Sequence, residues 1–152
     1  MARALAVGDA APDFTLPSTR GDVTLSRLLA QGPVLLVFYP GDDTPVCTKQ
    51  LCDYRDNLSV FEGLGVQVVA INPQALASHQ KFASKHALPF PVVADEGGEV
   101  TANYGARGLL GMTKRALVLV GRDGRVAWQR TDFPIFHATA EDIRKAVAAL
   151  PL

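Results

Sequence analysis

No apolar run in this 152-residue sequence approaches the ~20 residues that a membrane-spanning helix needs. No sign of charge dominates either. Fifteen Lys and Arg balance fifteen Asp and Glu, so the chain lacks the basic field of a nucleic-acid binder and the polybasic patch of a peripheral membrane protein. It has no internal repeat, no low-complexity tract and no linker, and its length fits one domain. The opening Met1–Gly8 carries one basic residue and too short an apolar stretch for a signal peptide, so the expected location is cytoplasmic. Cysteine is scarce, with two residues in all. A domain of this size buries roughly two-thirds of its unfolded surface and needs neither disulfide nor metal to fold. In a reducing compartment the two cysteines therefore point to redox chemistry or metal binding rather than to a structural bridge.

Both cysteines lie in Pro40–Cys52, PGDDTPVCTKQLC. The preceding Val34–Tyr39 is β-branched, aliphatic and aromatic, the composition of a buried strand, and Pro40-Gly41 stops it. Thr44-Pro45 opens a helix, Thr as N-cap and Pro at the first helical position. Cys47 then sits at the third position, among amides that lack intrahelical partners. Those amides and the positive helix end favour an anion, so a thiol there ionises more readily than a free one. Cys47, Leu51, Tyr54, Leu58 and Phe61 follow a 4-3-4-3 spacing that marks a core-facing stripe on one helix ended by Gly63 and Gly65. Cys52 lies off that stripe.

Elsewhere, 9–17 and 23–25 read as an N-terminal hairpin about a turn at Ser18–Asp22, followed by a short helix 26–30 capped by Ser26. A buried strand is predicted at 66–71, an amphipathic helix at 75–86, a short strand at 90–94 and a short helix at 98–104. Strands 115–120 and 125–130 flank the hairpin signal Arg122-Asp-Gly124, and a helix over 139–150 closes the chain. This order predicts an α/β sandwich around a mixed sheet.

The pattern P-x-x-x-T-x-x-C, met by Pro40, Thr44 and Cys47, resembles that of the peroxiredoxins. The spacing to Cys52 resembles the bacterioferritin comigratory protein, or PrxQ, subfamily. Gly8-Asp-x-Ala-Pro-Asp-Phe-x-Leu-Pro17, Phe38-Tyr-Pro40 and Arg55-Asp56 extend the likeness over nearly the whole chain. The resemblance implies a thioredoxin-like fold: a mixed central sheet flanked by helices, with the N-terminal hairpin as an extension. It implies thiol-dependent reduction of hydrogen peroxide or organic hydroperoxides, with Cys47 as peroxidatic nucleophile and Cys52 as resolving cysteine. It also implies Arg115 as the active-site cation, a thioredoxin- or glutaredoxin-like reductant, and no cofactor or metal. Chemically, Arg115 would stabilise thiolate and leaving oxygen, the Thr44 hydroxyl would hold a peroxide oxygen, and Pro40 would shield the thiolate without offering a donor. With both cysteines on one chain, a monomer is expected.

Plainer readings stand beside these. A lone buried cysteine is usually a small hydrophobe, and a lone arginine a surface ion-pair residue. Asp42 and Asp43 bring like charge toward the thiolate and oppose its ionisation if they point inward. His79 and His86 could join the cysteines around zinc, although C-x4-C with H-x6-H departs from ligand spacing. Gly105, Gly108 and Gly111 follow a helix and precede a strand, which fits a loop rather than a phosphate-binding turn. Two other classes remain: a protein disulfide oxidoreductase, which would favour C-x-x-C, and a noncatalytic redox sensor.

Overall fold

A computed structural model of the chain describes residues 5–133 and 135–151. Its centre is β3, Val34–Phe38, whose five residues are all fully buried. Parallel neighbours β4 (Gln67–Asn72) and β5 (Val92–Ala94) lie to one side, and antiparallel β6 (Arg115–Val120) and β7 (Val126–Asp132) to the other. The order is β5-β4-β3-β6-β7. Parallel pairing of β3 with β4 and of β4 with β5 requires crossover segments, which the intervening helices supply. The turn between β6 and β7 needs only Gly121 to Arg125, with Gly124 at φ +78° where a side chain would be strained.

Strand residues alternate between two cores. Leu35, Val37 and Leu117 face one layer, packed with Cys47, Leu51, Tyr54, Phe61, Phe82, Ile143 and Val147. These come from α2 (Pro45–Asp56), α3 (Leu58–Gly63), α4 (Leu76–Lys85) and α6 (Ala140–Ala148). Val34, Leu36 and Phe38 face the other layer, with Leu25 and Leu29 of α1 (Leu25–Leu29), Val100 of α5 (Glu99–Asn103), and Phe14 and Tyr104. The expected N-terminal hairpin is present as β1 (Thr15–Leu16) against β2 (Val23–Thr24).

Two local expectations are corrected. The single helix predicted from Pro45 to Gly63 is two. Asn57 adopts φ −118°, ψ 28°, and its side-chain amide donates to the Asp53 carbonyl at 2.9 Å and to the Asp53 carboxylate at 2.9 Å. A side chain that bonds the backbone of the preceding turn competes with helix continuation. The apolar stripe survives this break, because Cys47, Leu51, Tyr54 and Phe61 all remain buried. Ser26 does not cap α1. The helix starts at Leu25 after Thr24, and the Ser26 amide is taken by the Asp13 carboxylate at 2.9 Å. At α6, by contrast, Thr139 and Asp142 form a reciprocal capping box. No helix among the described residues is long and apolar enough to cross a membrane.

Candidate active site

Strand β3 delivers the chain to the end of the sheet at the buried Tyr39, and the loop Pro40–Thr44 turns it into α2. Asp43, at φ +60°, takes the left-handed conformation that lets so short a loop reverse; Asp tolerates it better than most residues. Pro45 occupies the first helical position and Cys47 the third, as the sequence predicts. Thr44 holds the N-cap position in extended backbone, yet its side chain does not cap the helix. Its hydroxyl turns back and donates to the Gly41 carbonyl at 3.1 Å, closing the loop on itself. The oxygen lone pairs remain available as acceptors.

Cys47 and Cys52 are both free thiols. Cys47 is fully buried, so a reactant reaches its sulfur only if groups above it move. Cys52 is half-buried and lies five residues along the same helix. Arg115, the first residue of β6, is buried and extends Nη2 to 3.1 Å from the Cys47 sulfur. A guanidinium held there stabilises a thiolate and any negative charge developing beside it. Its Nη1 donates to the Gln50 side-chain oxygen; Gln50 in turn donates to the Tyr54 hydroxyl at 3.1 Å, and that hydroxyl donates to the Ala138 carbonyl at 2.7 Å. The guanidinium is thus fixed from α2 by Cys47 and Gln50, with Gln50 itself held through Tyr54. Because Gln50 is neutral, it orients Arg115 without cancelling its charge. Pro40 is half-buried at the start of the loop.

The AhpC/TSA family model matches residues 7–129. The chain belongs to the AhpC/TSA family. This family member is 34% identical to Peroxidoxin BcpB from Mycobacterium tuberculosis, whose crystal structure superposes with a TM-score of 0.82 over 95% of each chain. It is 44% identical over 101 residues to the chloroplastic peroxiredoxin Q of Arabidopsis thaliana, covering 66% of this chain. The match spans 47% of that relative, about half its length. A Xanthomonas campestris peroxiredoxin Q shares the fold, with a TM-score of 0.82 at 24% identity over 95% and 96% of the two chains. The resemblance to the PrxQ and bacterioferritin comigratory group, drawn from Pro40, Thr44, Cys47 and Cys52, is borne out, and so is the thioredoxin-like fold.

The AhpC/TSA family member contains two site features that sequence reasoning did not assign. Gln50 was legible in principle, since three residues beyond Cys47 on a helix places it on the same face. Asp42 and His79 were not, being thirty-seven residues apart. Asp42 does point inward, but its charge is met: Tyr39 Oη donates to Oδ1 at 2.6 Å, Ser78 Oγ donates to Oδ2 at 2.7 Å, and His79 Nδ1 lies 2.7 Å from Oδ2. Burial opposes ionisation of this carboxyl, while the bonds from His79, Tyr39 and Ser78 outweigh it and hold the group below the usual aspartate range. Asp43 points outward, 3.5 Å from the Lys85 ammonium. His79 and His86 do not gather with the cysteines: His79 belongs to Asp42, and His86 packs edge-on to Phe82. Among the described residues no cluster of His, Cys, Asp and Glu could hold a metal ion.

Proposed function

We propose that this chain is a thiol-dependent peroxidase that reduces hydrogen peroxide and organic hydroperoxides. The observation that carries the reading is the Cys47 sulfur at the start of α2 with Arg115 Nη2 3.1 Å away. The Cys47 thiolate attacks the terminal peroxide oxygen. A new S–O bond forms as the O–O bond breaks, the sulfur is oxidised to sulfenic acid, and the departing oxygen takes a proton to leave as water or alcohol. Arg115 stabilises charge on the sulfur and on the departing oxygen, and the Thr44 hydroxyl accepts from the bound peroxide. Pro40, lacking an N–H, limits water at the sulfur without competing for it. The Cys52 thiol then condenses with the sulfenic acid, releasing water and forming a disulfide. A thioredoxin- or glutaredoxin-like dithiol returns both sulfurs to the thiol state.

Steady-state peroxide consumption with thioredoxin, glutaredoxin or dithiothreitol as electron source tests this reading. Cys47→Ser is expected to abolish turnover with every reductant. Cys52→Ser keeps the first oxidation but loses recycling by thioredoxin and becomes prone to overoxidation. No consumption with any of the three reductants would remove the proposal. Both cysteines lie on one chain, so the acting unit needs no partner subunit and is taken to be a monomer. Sedimentation at micromolar concentration checks that, a stable dimer in both redox states being the contrary result.

A further inference from the structure

The steps above use neither Asp42 nor His79, yet their side chains meet in a buried contact that joins the loop leading to Cys47 to α4. His79 Nδ1 faces the Asp42 carboxylate and Nε2 faces the Asn72 carbonyl at 3.1 Å. Both ring nitrogens therefore sit within hydrogen-bond distance of oxygens, one on the loop side chain and one at the end of β4. Around this pair the loop is held along its length. Asn72 Nδ2 donates to the Tyr39 carbonyl at 2.7 Å, before the loop begins. The Asp42 amide donates to Gln74 Oε1 at 2.6 Å, in the middle. The Asp42 carboxylate collects Tyr39, Ser78 and His79 from three points on its inner side. Gly41 fits this clamp closely, since a Cβ there would meet Gln74 Oε1 at 3.3 Å. Tyr39 belongs to the same core layer as Cys47.

We propose that Asp42 and His79 are positioning residues of the Cys47 site, their buried side-chain contact fixing the Pro40–Thr44 loop that leads into Cys47. The inference rests on the peroxidase reading. The pair reaches no reactant itself; it sets where the Thr44 hydroxyl and the Pro40 ring stand relative to the attacking thiolate. Misplacement of such groups by about an ångström costs on the order of 100-fold in rate. A peroxide needs that alignment, whereas a simple alkylating agent needs only the thiolate and a way in. Because both reactions consume the thiolate, the ratio of their rates cancels any change in its population.

The test uses the full chain with Cys52→Ser, so that only Cys47 reacts, and measures rate constants for hydrogen peroxide and for iodoacetamide. Asp42→Asn and His79→Gln are each expected to lower the peroxide constant by about 10- to 100-fold, with the iodoacetamide constant retained or raised as the loop loosens. Gln74 is exposed, so Gln74→Ala slackens the same loop without burying an unpaired charge. It keeps the test decisive if the other variants fail to fold, with a smaller drop in the peroxide-to-iodoacetamide ratio. An unchanged ratio in the folded variants overturns the inference, whether both constants stay or both fall together. A parent that alkylates but does not react with peroxide removes the peroxidase reading, and this inference with it.

Discussion

Arg115 and Cys47, sixty-eight residues apart in sequence, meet with Nη2 3.1 Å from the sulfur. The contact joins the start of β6 to the first turn of α2, and the antiparallel pairing of β6 with β3 brings it about. Phe38, at the end of β3, pairs with Ala116, so the residue before Ala116 is carried to the point where the chain leaves the sheet for α2.

Arg115→Lys tests whether geometry or charge matters more. Lysine keeps the positive charge but cannot hold Gln50 and the sulfur through two separate nitrogens. The second-order constant for oxidation of Cys47 should fall by ~100-fold, as when one oriented donor to developing charge is lost. Stopped-flow measurement on folded protein reads this directly; a constant within a factor of two of the parent would detach Arg115 from the reaction.

Gln50→Leu removes the acceptor for Arg115 Nη1 while leaving the Tyr54 hydroxyl its bond to Ala138. A slower oxidation of Cys47, on the order of tenfold, is expected from the reoriented guanidinium. The buried donor should also cost ~1–3 kcal/mol of stability, measured by urea unfolding.

Asp42 gives a pH signature of stability. Its carboxyl is held below the usual aspartate range in the folded protein, so the unfolded chain binds that proton more readily. The stabilisation is therefore fully present above the ordinary value of ~3.9 and is lost as pH falls through the lower folded value. Urea unfolding across acid to neutral pH should find Asp42→Asn less stable than the parent above about pH 5, with the gap closing on acidification. A gap independent of pH would show that the carboxylate charge is not what stabilises.

Disulfide formation requires α2 to open. Five residues along an ideal helix give a rise of ~7.5 Å and a rotation of ~140°, hence a Cα separation of ~8.7 Å. A disulfide needs roughly 4.4–6.8 Å. Both cysteines lie within the continuous helix Pro45–Asp56, so Thr48 to Leu51 must lose helical bonds for the sulfurs to meet. Hydrogen exchange over residues 44–56 should be faster in the disulfide form than in the dithiol form. Equal protection, with the disulfide verified by mass spectrometry, would sink the mechanism.

Local chemistry carried much of this site. Thr44-Pro45 announced a helix start, the 4-3-4-3 stripe announced a buried face, and together they fixed Cys47 at the third helical position. The sheet was legible from the apolar runs at 34–39, 66–71 and 115–120. What escaped was set by tertiary pairing or by competition between hydrogen bonds. The Asp42–His79 pair joins two segments that share no local pattern. The Thr44 hydroxyl chose the Gly41 carbonyl over the helix amides, and Asn57 chose the Asp53 carbonyl over continuing the helix.

That last choice has a mechanical consequence. The hydrogen bonds of α3 begin afresh at Asn57, whose carbonyl receives the Val60 amide at 2.9 Å, and Phe61 anchors α3 in the core edge-on to Tyr54, near the far end of α2 from Cys47. The boundary works as an expansion joint. When the turns that carry the cysteines come apart, the disturbance has no continuous ladder along which to travel, and the α3–α6 layer keeps its packing. The part of the fold that must deform for the proposed disulfide is thereby separated from the part that must hold.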